Sequence, residues 1–487
     1  MLKTIRPDRR TLLASMAAMA LPGAAIPSRA RAAAKDYPAV QAFLDDFVGT
    51  KKVANCVVAI KRDTRPVEYL SAGTLALDSA LPVDADSLYR IYSMTKPVTG
   101  VAFMKLVENG VLRLDQPISD VLPEFAQQRV MVDGVLENTR PAASPILMRH
   151  LVTHTSGLSY GLHTRTVLGQ AYVAYGLTPG SRDVAAGLLR PTDMFPPARD
   201  LETFGRRLAL LPLEFDPGTR WHYSVGLDVM GLIIQRASGM PFEDFLKQAI
   251  FDPLRMRDTD FVAPRSKVPR LTSYYARRNG GLEVIDDRNA SPYSRDRALP
   301  AGGAGLVSST RDYMRFVAML MNDGVLDGER VLRPDSVTIA HSNMMNPGVF
   351  TESFGGVGNT FGAGLQILSK ASAAGEGAGT FGWDGAAGTT MWVDPVHKIG
   401  VCGMVQIQGP GIRQALREAV YQDIGVKAAP ARSVPQDAPS APPNPTPPPA
   451  VQPPPPPVRA PATPPATPPA NPPRMRRPAG ALRQPMR

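Results

Sequence analysis

Cysteine is nearly absent. Cys56 and Cys402 are the only two in 487 residues, too few for a disulfide scaffold or a cysteine-based metal site. Both lie in strand-like apolar runs, 53–60 and 399–405, and read as two small buried side chains; a disulfide would require those strands to be neighbours. Histidine is also scarce, at six. His150 and His154 share a helical spacing of four, but the Glu of H-E-x-x-H is missing and no third ligand suggests itself, so they read as structural. No metal and no cofactor is expected. Apart from one interrupted run at the N-terminus, no stretch is long and apolar enough to span a bilayer, which takes about 20 residues.

The body of the chain also lacks net charge. Residues 1–34 carry six Lys and Arg against Asp8, and residues 428–487 carry seven Arg against Asp437, so the formal +11 lies wholly in the two ends. A neutral body without a basic stripe gives no electrostatic reason to bind nucleic acid.

The two ends have their own chemistry. Residues 1–34 combine Arg9-Arg10-Thr11-Leu12-Leu13, an apolar run over 12–25 broken by Pro22-Gly23, and the small-residue site Ala30-Arg31-Ala32. This pattern predicts a cleaved, twin-arginine-like export signal and a periplasmic or secreted protein, against the alternative of an uncleaved anchor. From 428 onward Pro, Ala and Arg dominate, with an unbroken run at 453–457. Such a segment cannot bury a core and is expected to be an extended, disordered tail. At roughly 3.1 Å per residue it could reach on the order of 180 Å. The sharper alternative is a tether contacting an anionic cell-envelope surface.

Between them, 35–427 reads as one domain. A helix over 37–47 and strands over 55–60 and 67–75 open it, and a mainly helical region over 95–309 follows, with helices at 226–237 and 242–250. Strands return at 389–393 and 399–406, and a helix over 412–424 closes the body. The sheet is expected to be built from both ends of the body.

Ser93-Met94-Thr95-Lys96 is the only S-x-x-K in the chain. On a helix, positions three apart share a face, so the lysine amine can reach the serine hydroxyl. A serine is a poor nucleophile until a base takes its proton, and a lysine can do so where its environment favours the free amine. A competing motif, Gly157-Leu158-Ser159-Tyr160-Gly161, matches G-x-S-x-G and is followed by Asp394 and His397 in Ser…Asp…His order. That motif needs a strand entering a sharp turn into a helix, whereas 146–154 reads helical, so Ser159 is expected to be a loop serine.

Ordered blocks accompany Ser93. Leu151-Val152-Thr153-His154-Thr155-Ser156-Gly157-Leu158, Phe215-Asp216-Pro217-Gly218-Thr219-Arg220-Trp221-His222-Tyr223-Ser224, Ala301-Gly302-Gly303-Ala304-Gly305-Leu306, Phe361-Gly362-Ala363-Gly364-Leu365 and Phe381-Gly382-Trp383-Asp384-Gly385-Ala386 all resemble landmarks of the serine β-lactamase, penicillin-binding protein and family VIII carboxylesterase superfamily. The resemblance implies an α/β (α+β) fold of β-lactamase/transpeptidase type: an antiparallel sheet from N- and C-terminal segments, flanked by helices, with an inserted mainly helical subdomain. It implies Ser93 as nucleophile, Lys96 as base and Tyr223 as the phenol that relays the proton. The backbone N–H groups of Ser93 and Ala386 would form the oxyanion hole, and Tyr160, Val225, Trp383 and Gly385 would line the substrate site. Two departures point within the superfamily. Trp383 stands where β-lactamases and peptidases carry Lys, and Val225 where they usually carry Asn, so the charge-assisted grip on a β-lactam or peptide is missing. Both resemble the esterase branch. The expectation is hydrolysis of small carboxylic esters, with a β-lactamase or D-alanyl-D-alanine carboxypeptidase as the alternative, and a catalytically idle envelope scaffold as a third reading.

Overall fold

The structure, a computed structural model, describes residues 34–163, 165–179, 195–294, 299–351, 357–409 and 411–426. The expected export signal, apart from Ala34, and the Pro-rich tail from 428 lie outside them. The described residues all belong to one compact unit.

Its frame is a seven-stranded, wholly antiparallel sheet. The strands are β1 (Asn55–Arg62), β2 (Glu68–Gly73), β3 (Thr360–Phe361), β4 (Gln366–Ile367), β5 (Phe381–Asp384), β6 (Thr390–Asp394) and β7 (Ile399–Met404), in the spatial order β3-β4-β5-β6-β7-β1-β2. The N-terminal hairpin is thus zipped onto the C-terminal meander through β1 and β7, with Ala59 opposite Cys402. β1 reads as an unbroken apolar run because both of its faces are covered. Val57 and Ala59 face one core, while Cys56, Val58 and Ile60 face another.

The smaller core lies under two helices, α1 (Pro38–Gly49) and α5 (Arg413–Asp423), which contribute Val40 and Leu44, and Leu416 and Val420. Each pair is spaced four apart, as a helix needs to present one face. The two helices are tied end to end. The Asp423 carboxylate accepts the N–H groups of Ala39 and Val40 at 2.9 Å each, satisfying the free donors of the first turn of α1. The larger core, on the other face, is covered by α2 (Thr95–Glu108), α3 (Gly226–Ser238) and α4 (Thr310–Met321).

The expected elements stand within a few residues of their positions, and the sheet does join the two ends. The region between is less purely helical than its periodicity suggests. Two hairpins interrupt it, Arg129–Val132 with Val135–Pro141 and Tyr274–Arg278 with Gly281–Asp286. Their outer strands are largely exposed, so they carry little apolar alternation to read. The two cysteines resolve against a disulfide. Their strands are neighbours, but Cys56 faces the smaller core and Cys402 the larger, and both thiols are free and buried. Among the described residues no helix is long and apolar enough to cross a membrane.

Candidate active site

Ser93 stands at the point where a short strand becomes a helix. Leu88–Arg90 pairs with Val307–Ser309, a single turn over Tyr92–Met94 follows, and α2 begins at Thr95. Arg90 anchors this corner. Fully buried, it pairs with Asp286 at 2.6 Å, donates to the Thr272 carbonyl at 2.7 Å and to Ser291 Oγ at 2.9 Å, and shares Gln406, whose amide returns a bond to the Arg90 carbonyl. Tyr92 then takes φ of 42°, a conformation that costs a non-glycine residue on the order of 1 kcal/mol or more. The Tyr313 hydroxyl holds the Met94 carbonyl at 2.7 Å from the other side. Ser93 is therefore clamped between fixed neighbours while its own side chain stays partly open.

Three groups meet there. The Tyr223 hydroxyl donates to Ser93 Oγ at 2.8 Å, and Lys96 Nζ lies 3.3 Å from the same oxygen. Lys96 is fully buried, its Nζ donating to the Gly303 carbonyl at 2.6 Å and lying over the rings of Tyr223 and Tyr160, at 4.6 and 5.7 Å from their centroids. Such ring faces attract an ammonium. The spacing of Ser93 and Lys96 delivers what its helical reach predicts.

The other blocks find their purpose in holding these three. The loop after the short helix Met148–Val152 lies alongside the segment that carries Tyr223: Glu214 N–H donates to Gly157 O, Gly218 to Thr155 O, His222 to His154 O and Val225 to Ser159 O. The imidazole of His154 packs 4.7 Å from the Tyr223 ring, and its Nδ1 accepts the Ser224 N–H at 3.2 Å. Burial, reinforced by Lys96 in its protonated form, pushes His154 well below the usual histidine range, so it is a neutral spacer. The turn between β3 and β4 buttresses α2 and ties back to the helix before the loop, where Gly364 N–H donates to the Val152 carbonyl. Among the described residues no histidine, cysteine or carboxylate cluster could hold a metal.

β5 closes the other side. A Cβ at Gly385 would stand 2.4 Å from the Ile91 carbonyl, so only glycine lets this strand end approach the Ser93 turn. The Gly385 N–H is taken by Thr389 O at 2.8 Å, and Ala386 is exposed in the turn that follows. Trp383 is buried, its ring 5.7 Å from that of Tyr223 and 5.1 Å from that of Phe361. Tyr160 stacks on Tyr223 at 5.6 Å with the rings 9° from parallel. The serine thus faces an aromatic wall, with Val225 fully buried beneath it at the head of α3.

Beta-lactamase family sequences match this chain over residues 40–423, with these blocks inside the match. The chain belongs to the beta-lactamase family. It is 31% identical over 406 residues to Esterase EstB of Burkholderia gladioli, covering 78% of this chain and 94% of that one. The structure of EstCE1, described as a hydrolase with promiscuous acyltransferase activity, superposes with a TM-score of 0.66 at 25% identity, over 80% of this chain and all of that one. The octameric penicillin-binding protein homologue from Pyrococcus abyssi shares the fold, with a TM-score of 0.59 at 23% identity over 80% of this chain and 77% of that one. With such relatives, this member of the beta-lactamase family is a serine hydrolase.

The competing G-x-S-x-G motif is disarmed by its surroundings. Ser159 is fully buried, its hydroxyl donates to Glu214 at 2.7 Å and its N–H to the Tyr172 oxygen at 3.1 Å. Asp394 and His397 do pair, at 2.8 Å, but on the β6–β7 hairpin, where the carboxylate also serves Gly377 and Tyr421. Two residues close to the site carry no motif signal of their own. Arg90 gives itself away only as a charge in an apolar strand, and Asp228 only as a carboxylate on the buried face of α3, a signal a helical periodicity count could have raised.

Proposed function

We propose that this protein hydrolyses small carboxylic esters through an acyl-enzyme on Ser93. The observation that carries the reading is the convergence of the Tyr223 hydroxyl and Lys96 Nζ on Ser93 Oγ. Lys96 takes the Ser93 proton as Oγ attacks the ester carbonyl carbon. The backbone N–H groups of Ser93 and Ala386 receive the oxyanion, where preorganised donors are worth several kcal/mol. The C–O bond to the leaving alcohol breaks, with the proton returned to the leaving oxygen through Tyr223. Water then repeats the sequence on the acyl-enzyme and frees the acid.

Tyr160, Trp383 and Gly385 form the substrate wall, with Val225, fully buried, packed behind it rather than facing the substrate as the resemblance implied. Its apolar, aromatic character suits an ester and offers no cationic grip for a β-lactam or peptide carboxylate. A second reading, transfer of the acyl group to an alcohol instead of water, draws on the acyltransferase activity named for EstCE1. The test compares kcat/KM for a short-chain nitrophenyl ester, a chromogenic β-lactam and a D-alanyl-D-alanine peptide, with a simple alcohol added to the ester assay. The ester is expected to lead by a wide margin. A larger value for the β-lactam or the peptide would overturn the reading, and a new ester product at the expense of free acid would favour transfer.

A further inference from the structure

Asp228 lies on α3, five residues beyond Tyr223, and is completely buried. One of its oxygens, Oδ1, accepts the N–H of Gly303 at 2.9 Å. The carbonyl of that same residue accepts Lys96 Nζ at 2.6 Å. The neighbouring carbonyl, of Gly302, accepts the Thr99 hydroxyl at 2.7 Å, three residues after Lys96 on α2. A Cβ at residue 303 would sit 2.6 Å from Asp228 Oδ2, so the glycine is what lets the loop come this close to the carboxylate. Oδ2 itself is buried with no hydrogen-bond partner among the described residues.

A buried carboxylate with one oxygen unsatisfied is costly, and a well-packed helix would gain by replacing it. Burial pushes the Asp228 carboxyl up to about 6, with Lys96 in its protonated form and the Gly303 N–H pulling the other way. At neutral pH it is still mostly an anion. Its charge is felt by the general base and by Tyr160 alike.

We propose that Asp228 is a positioning residue for Lys96: its carboxylate grips the Gly303 N–H, aims the Gly303 carbonyl at Nζ, and supplies the fixed negative charge that holds the ammonium formed when Lys96 takes the Ser93 proton. The proposal rests on the Ser93–Lys96 reading above. It accounts for three things at once: the unsatisfied buried carboxylate, the need for glycine at 303, and a carbonyl placed to anchor the amine without accepting its charge. The titratable groups facing Lys96 are Asp228 from α3, Tyr223 from the segment before it, and Tyr160 and His154 from the loop opposite. Variants at Asp228 leave the other three in place.

The experiment uses the full-length protein with a fluorophosphonate probe and a nitrophenyl ester. Mapping the labelled peptide in the unaltered protein comes first, and a label anywhere but Ser93 would sink the site reading itself. With Ser93 labelled, Asp228→Ala is expected to lower kcat by about 100-fold with KM within about threefold, since it removes both grip and charge. Asp228→Asn keeps an oxygen acceptor for the Gly303 N–H and so isolates the charge. It is expected to lose only about tenfold at its plateau, and its kcat/KM profile should reach that plateau at lower pH, because loss of a nearby anion disfavours an ammonium. Wild-type labelling rates in folded Asp228→Ala would overturn the proposal. So would an Asp228→Asn profile whose acid limb coincides with that of the unaltered enzyme.

Discussion

Ser93 and Ser159 each sit in a motif that a hydrolase can use, and the two sites differ in everything except the hydroxyl. Ser93 lies on a turn with a φ of 42° just before it, keeps its side chain partly open, and has an amine and a phenol aimed at its oxygen. Ser159 is sealed, and its hydroxyl is bound to the Glu214 carboxylate as part of the seam that carries Tyr223. One serine is presented to solvent by its scaffold; the other is part of the scaffold. A four- or five-residue pattern cannot tell these apart, because the difference lies in which residues far along the chain are folded against the hydroxyl.

The contrast can be broken most severely at the catalytic corner. Ser93→Ala should reduce ester turnover to background, and Lys96→Ala should cost on the order of 10²–10⁴-fold, with Tyr223→Phe somewhat less. In the mechanism proposed above the three act as one proton-transfer unit, so their effects should combine non-additively. Steady-state kinetics on variants with unchanged circular dichroism would check this. Activity retained in Ser93→Ala and lost in Ser159→Ala would reverse the comparison outright.

A second effect separates presentation from chemistry. Arg90→Met removes the cation from a buried network and leaves Asp286 without its guanidinium, so it should cost about 3–5 kcal/mol of stability. Urea unfolding would measure the loss, and fluorophosphonate labelling of Ser93 should slow in protein that is still folded. The smallest effect is expected at the other serine. Ser159→Ala deletes one buried hydrogen bond to a charged group, worth about 1.5–3 kcal/mol, while ester kcat should stay within a few-fold. A stability loss with retained turnover is the signature of a seam residue, and the two numbers can be taken from one preparation.

Much of this was legible in the chain. The short unbroken apolar run of 55–60 and the helical spacing of 226–237 announced their elements. Ser93 and Lys96 announced each other because they are three apart. Tyr223, Trp383 and Gly385 came only through resemblance, since nothing local distinguishes a catalytic tyrosine from a core one. Asp228 and Arg90 stayed hidden for a different reason. Each works by reaching across the fold, to Gly303 in one case and to Asp286, Thr272 and Gln406 in the other, and those contacts have no spacing to read. The outer strands of the two hairpins, Val135–Pro141 and Gly281–Asp286, escaped because neither face of them is buried deeply enough to impose alternation.

The zipping of β1 onto β7 has a kinetic consequence. Ala59 and Cys402 are partners across about 340 residues of chain, so at a synthesis rate of roughly 5–20 residues per second β1 waits on the order of 20–70 s for its neighbour. Through that interval β1 has β2 on one edge and α1 over its Val58 and Ile60 face, while the edge that β7 will take stays open and α4, which covers Val57 and Ala59, arrives only late. A newly made chain is therefore at its most aggregation-prone near its beginning, and the nascent protein should be a client for any chaperone that binds short extended apolar segments until α5 arrives to cap α1 and close the smaller core.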